Sequence, residues 1–106
     1  MHILIFLFFA CAVLISPGTV SAESFVISQE KKRFHPKLLN AKLGDTVLFD
    51  NDDRYAHTLY SETPDFEFNI RKQMPGQKHE MKLDKRGEFV VRCVIHPRMK
   101  MTITVE

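Results

Sequence analysis

Three side chains able to bind a soft metal ion crowd into one seven-residue stretch, CVIHPRM: Cys93, His96 and Met99. Pro97 marks the stretch as a loop, and this spacing lets a thiolate, an imidazole and a thioether turn toward one point. Completed by a second imidazole from elsewhere in the chain, that donor set is the one used by electron-transfer copper sites. His57, at the end of the turn formed by residues 51–56, is the natural second imidazole. Sulfur suits Cu(I) and imidazole suits both oxidation states, so a fixed mixed set changes little on losing an electron.

Each residue also has a plainer reading. Free cysteine packs as a small hydrophobe, and Cys93 could simply extend the apolar face of Phe89 and Val91. A Cys–His pair can act as nucleophile and base. No third group stands in an obvious place to orient the histidine, which argues against an enzyme. Two methionines compete for the fourth position. Met101 shares the alternating face of Ile103 and Val105 and is needed to start a terminal strand, so it reads as core and Met99 as ligand.

The elements that must position these donors are strands. Short β-branched or aromatic runs, separated by turn signals, occupy residues 24–29, 38–43, 46–50, 57–61, 67–70, 78–83, 88–93 and 100–106. Eight strands at this density indicate an all-β sandwich or barrel, and no stretch keeps a helical period. Period two puts Phe89, Val91 and Cys93 on one face, and His57 in phase with Leu59. The thiol and the first imidazole therefore fall on core-facing positions at strand ends. His79, in phase with Met81 and Leu83, reads as packed or half-buried. His35 reads as a surface loop residue, and Met74 as a turn residue covering the core.

Ahead of the strands, residues 3–15 are uninterrupted apolar sequence, followed by SPGT and then by small residues up to Ala22. That is the pattern of a secretory signal peptide, residues 1–22, cleaved after Ala22. The run is short for a membrane span, and its n-region has no Lys or Arg. Lipid attachment at Cys11 is the alternative. Removal of the leader leaves 23–106 as one small domain whose only cysteine is Cys93. No internal disulfide can then staple it, and a bound metal is one of the few remaining sources of added stability. The formal net charge of +2 does not suggest nucleic acid, which calls for a clustered basic stripe.

The run FVVRCVIHPRM before a terminal strand, with NDDRYAHTLYS upstream, resembles the cupredoxins, the small blue copper proteins. The short Cys-x2-His-Pro-x-Met loop is similar to that of the amicyanin-like, methylamine-utilisation-type members, whereas plastocyanin-like spacing would select Met101. The resemblance covers essentially all of 23–106 and implies an eight-stranded Greek-key β-sandwich. It implies one copper ion near one end, held by His57, Cys93, His96 and Met99. It further implies a non-enzymatic carrier that shuttles single electrons between protein redox partners in the periplasm, with His96 partly exposed as the electron exit. A monomer without membrane insertion is expected. Many members carry Asn after the first histidine; this chain has Thr58, whose hydroxyl has less reach for tying the two ligand loops together. Met74 is placed by the resemblance beside the copper end. Arg54 and Arg98 flank the histidine loops, where they would steer an acidic partner. Two other functions stay open on the sequence. One is copper sequestration or delivery, for which spaced Met-rich runs are missing. The other is a metal-free interaction module in which CVIHPRM is coincidence.

Overall fold

The computed structural model describes residues 2–13 and 21–106. Residues 2–13 are exposed chain without helix or strand. Part of the expected leader, residues 1 and 14–20, lies outside the described residues. No helix among the described residues is long and apolar enough to cross a membrane.

From Ser24 the chain forms strands β1 (Ser24–Glu30), β2 (Arg33–His35), β3 (Leu38–Ala41), β4 (Thr46–Asn51) and β5 (His57–Ser61). There follow β6 (Phe68–Gln73), β7 (Lys78–Lys82), β8 (Gly87–Cys93) and β9 (Lys100–Val105). They make a two-sheet Greek-key sandwich with strand orders β2-β1-β4-β7 and β3-β9-β8-β5-β6. β1 runs parallel to β4 and β3 parallel to β9; the other pairs are antiparallel.

The core follows from the alternation. Phe89, Val91 and Cys93 of β8, and Met101, Ile103 and Val105 of β9, are buried, while Glu88 and Arg92 are exposed. Ile27, Val47 and Phe49 of the opposite sheet belong to the same apolar cluster. Each fully buried side chain of this size stabilises the fold by about 1.5–3 kcal/mol relative to exposure. That burial must suffice without a disulfide, because Cys93 is free.

The described residues form one strand more than the eight expected. β2 is three residues long, ends beside Pro36, and follows a turn, Lys31-Lys32, that lacks the usual Asn-Gly signal. One boundary also moves toward the histidines. β6 runs on to Gln73, and its register against β5 shifts between His57 and Leu59, so that Leu59 pairs with Ile70 but His57 with Gln73. Such a bulge re-aims side chains at the end of a strand. His79, expected packed or half-buried, is exposed. It pairs with buried Phe49, but β7 is the edge strand of its sheet, so even its inward side opens to solvent.

The pole where β8 begins is closed by two tight contacts. Gly87 has φ +145, and a Cβ there would lie 2.8 Å from the Phe66 ring, which is stacked on Phe89. Asp45 accepts the backbone N–H of Glu23 at 2.9 Å and of Lys42 at 2.8 Å, fastening the start of β1 to the β3–β4 turn.

Candidate metal centre

β5 and β8 are antiparallel neighbours with Leu59 opposite Cys93. His57, two residues before Leu59 on the same face, therefore sits just beyond the thiol, at the end of the sandwich where β8 gives way to the 94–99 loop. That loop turns back at once: the Met99 N–H donates to the His96 carbonyl at 2.9 Å. The turn brings His96 over the thiol.

Three of the four expected residues meet. His57 Nδ1 lies 3.0 Å from His96 Nδ1, and Cys93 Sγ lies 3.7 Å from each of these nitrogens. A metal bound at about 2.0 Å to imidazole and about 2.3 Å to sulfur needs donors no more than about 4 Å apart for N–N and 4.3 Å for N–S. Both limits are met, so the donor set fits one metal ion. His57 and Cys93 are buried, and His96 is half-buried. Met99 is fully buried and belongs to the core cluster that also contains Cys93. Met101, also buried, pairs with Val91 within the β8–β9 ladder, as expected of a core residue.

His57 is held by a carboxylate that the sequence reading did not single out. Its Nε2 donates to Asp53 Oδ2 at 3.1 Å, which leaves Nδ1 with a free lone pair facing the thiol and His96. Burial, with the neighbouring His96 and Lys32 acting the same way, pulls His57 below the ordinary imidazole value against the opposing pull of Asp53. Burial alone would raise Asp53, but the Lys32 amide, the His57 ring and the Arg54 amide all donate to it and hold it below the ordinary carboxylate value.

Beneath Asp53 lies a buried polar network. Asn51 accepts the Asp53 N–H through Oδ1 and donates through Nδ2 to the carbonyls of Tyr55 and Gln73. Gln73 donates to the Phe49 and Gln77 carbonyls and accepts from Gln29, joining the two sheets. One signal could have found it: Gln29 is in phase with buried Ile27, a polar residue on a core face. Asn51, Asp53 and Gln73 carry no such pattern. The register pair His57–Gln73 also places the Met74–Gln77 turn at this end, with Met74 exposed. Thr58 joins the two ligand loops through its backbone, whose carbonyl accepts the Val94 N–H at 2.9 Å.

The fold and the donor cluster thus define a β-sandwich protein with a mononuclear thiolate–imidazole site at one pole. A family model described as a cupredoxin-like domain matches residues 2–105, and the chain belongs to that family. The chain is 30% identical over 87 residues to the methylamine utilization protein MauL of Methylophilus methylotrophus, an alignment covering 79% of this chain and 50% of that one. It therefore spans only half the length of that relative. Against MauL of Methylorubrum extorquens the identity is 30% over 86 residues, covering 80% of this chain and 75% of the relative. A variant of amicyanin in its Cu(I) form superposes with a TM-score of 0.73 at 20% identity, covering 78% of this chain and 82% of that one. The copper-containing nitrite reductase of Thermus scotoductus superposes with a TM-score of 0.73 at 28% identity, covering 78% of this chain but only 22% of the enzyme.

Proposed function

We propose that this protein is a mononuclear type 1 copper protein that carries single electrons between protein partners in the periplasm. The observation that carries the reading is the convergence of two imidazole nitrogens and one thiol, 3.0 and 3.7 Å apart, at one end of a packed sandwich. His57, Cys93 and His96 would hold the copper strongly, and Met99 would supply a weaker thioether donor. Similarity to MauL proteins and to amicyanin supports the assignment. Copper held there supplies a one-electron couple between Cu(I) and Cu(II).

The chain's own residues do the rest. Asp53 keeps His57 in the tautomer whose Nδ1 can bind. Burial of Cys93 shields the thiolate from solvent and oxidant. His96, half-buried, carries the site to the surface, where a partner can approach within electron-transfer range. The buried strands behind the ligands resist movement, so one set of donor positions serves both oxidation states. Residues 1–22 act as an export signal and 23–106 as the mature, monomeric domain. It binds one copper ion and acts as a carrier rather than an enzyme.

Titration of the mature protein with Cu(II) tests the assignment. A visible thiolate charge-transfer band and a matching electron paramagnetic resonance signal should appear at one equivalent and vanish in Cys93→Ser. The absence of any band at stoichiometric copper rejects it. Rapid electron self-exchange is expected; ready loss of Cu(I) to a chelator would instead identify a copper-delivery protein.

A further inference from the structure

The surface beside His96 carries a concentration of charge that the near-neutral chain does not otherwise lead one to expect. A cleft of about 640 Å³ is bordered by Lys31, Lys32, Arg33, Lys37, Arg98 and Lys100, and no acidic residue lines it. All six cations are exposed, although the formal net charge is only +2. The remaining lining is His96 itself with Phe34, Ile95 and Pro97. Ile95 and its neighbour Val94 are more than half exposed, so an apolar ledge adjoins the imidazole.

The lysines at this cleft are kept at a cost. The β1–β2 hairpin turns on Lys31 and Lys32, whose φ values of 52 and 57 are both left-handed. A two-residue turn of this kind selects Asn and Gly, because other side chains in that region cost about 1–2 kcal/mol each. Two lysines there break the local rule, and such breaks concentrate at functional sites. The turn is braced from the metal side. The Lys32 N–H donates to Asp53 Oδ2 at 2.8 Å, the same oxygen that accepts from His57 Nε2. Lys32 Nζ in turn lies 4.5 Å over the Tyr55 ring, which meets His96 edge-on at 6.1 Å between centroids. The cationic turn and the ligand histidines thus form one braced unit.

We propose that this cleft docks a carboxylate-rich protein surface, that of the redox partner, against His96. The inference rests on the electron-carrier reading and specifies the partner's chemistry. Six long, exposed cations around an open apolar floor suit a protuberant acidic surface. A small anion would need inward-pointing donors, and single-stranded nucleic acid would need exposed stacking rings, whereas the lining's one phenyl ring, Phe34, is buried and its imidazole, His96, is half-buried. Opposite charge at the rim raises the encounter rate, and the ledge of Val94 and Ile95 gives the short-range contact.

The test uses two double charge reversals that change net charge equally. Lys31→Glu with Lys37→Glu alters the cleft; Lys85→Glu with Arg86→Glu alters the turn before β8, at the other pole. Fluorescein-labelled oligoglutamate is titrated onto metal-free and copper-loaded protein, and oxidation of the Cu(I) form by hexacyanoferrate(III) is followed by stopped flow. At about 10 mM salt the cleft reversal should weaken peptide binding and slow oxidation roughly tenfold, and the polar-turn reversal should do far less. Both differences should fade near 200 mM as screening sets in. Equal effects of the two reversals, or none from either, overturn the proposal. Tighter binding of labelled oligothymidylate than of oligoglutamate also overturns it. If no copper band forms, the carrier reading fails on its own, and the peptide arm on metal-free protein still decides the cleft. An unchanged near-ultraviolet circular dichroism spectrum verifies that each variant is folded.

Discussion

Replacing Asp53 with alanine tests how the histidine side of the site is held. The carboxylate accepts from the Lys32 amide at 2.8 Å, from the Arg54 amide at 3.0 Å and from His57 Nε2 at 3.1 Å. Only the His57 bond is fully buried. Its donor would be left without a partner, costing about 1–3 kcal/mol. The two amides are part-buried and can turn to water, so each loses about 0.5–1 kcal/mol. The metal-free protein should therefore lose about 2–5 kcal/mol, lowering its melting temperature by about 8–40 °C for a domain of this size. Copper affinity should fall by about 10–100-fold, because His57 is then free to take the wrong tautomer. Asp53→Asn separates the causes. One amide oxygen at the Oδ2 position still accepts from Lys32 and His57, so only the Arg54 bond is lost and the penalty should be less than half. Urea unfolding of the metal-free proteins and competition against a Cu(I) chelator measure both quantities. An alanine variant within about 0.5 kcal/mol of the parent, with unchanged copper affinity, would refute the bracing argument.

The two methionines should separate cleanly: Met99→Leu shifts the copper spectrum and reduction potential, whereas Met101→Leu leaves both unchanged, each costing less than about 1.5 kcal/mol in metal-free stability. The reverse pattern in visible spectra and voltammetry would exchange their roles. Gly87→Ala places a Cβ at φ +145 and 2.8 Å from Phe66, so it should destabilise by about 2 kcal/mol or more in urea without altering the copper band. Asp45 is held below its ordinary value of 3.8 by the Glu23 and Lys42 amides. Its contribution is therefore present above the unfolded carboxylate pKa and lost as pH falls through the lower folded value; urea midpoints from about pH 6 to 2.5 should show Asp45→Asn with a shallower acid-side decline than the parent. Cleavage after Ala22 would make the Glu23 nitrogen an ammonium beside the same carboxylate, which predicts a steeper decline in the processed chain than in the unprocessed one.

Much of the sandwich was legible because period two is a local signal. Phe89, Val91 and Cys93 declared one buried face and Met101, Ile103 and Val105 another, and His57 was in phase with buried Leu59. The donor cluster was legible because Cys93 and His96 are three residues apart on one loop, and few other upstream histidines ended a core-facing run. What escaped was whatever depends on register between distant strands. Gln29 and Gln73 are 44 residues apart, and Lys32 and Asp53 are 21 apart. Neither pair carries a spacing rule. β2 escaped because three residues after a lysine turn hold too little pattern. His79 was misplaced because alternation reports which face a residue shares, not whether its strand lies at an open edge. Arg98 was expected to act with Arg54, which does not line the cleft; most of its cationic neighbours there come from the β1–β2 hairpin, which only the fold brings near.

The two poles of the sandwich differ in a way that bears on function. The pole where β8 begins is closed by a glycine, a stacked phenylalanine pair and one carboxylate, all features that favour stability. The ligand pole carries a strand bulge, two left-handed lysines and four buried polar side chains, Gln29, Asn51, Asp53 and Gln73. Each of those is a departure from the best-packed sandwich. A free imidazole lone pair beside a buried thiol gains little without metal, and it must be held by surrounding hydrogen bonds. The network supplies them, and it meets the lysine turn at one oxygen, Asp53 Oδ2. The lysine turn that lines the docking cleft and the histidine that faces the thiol share that one acceptor. Removing it should therefore disturb oligoglutamate binding and copper affinity together, whereas reversing Lys31 and Lys37 should disturb the first alone.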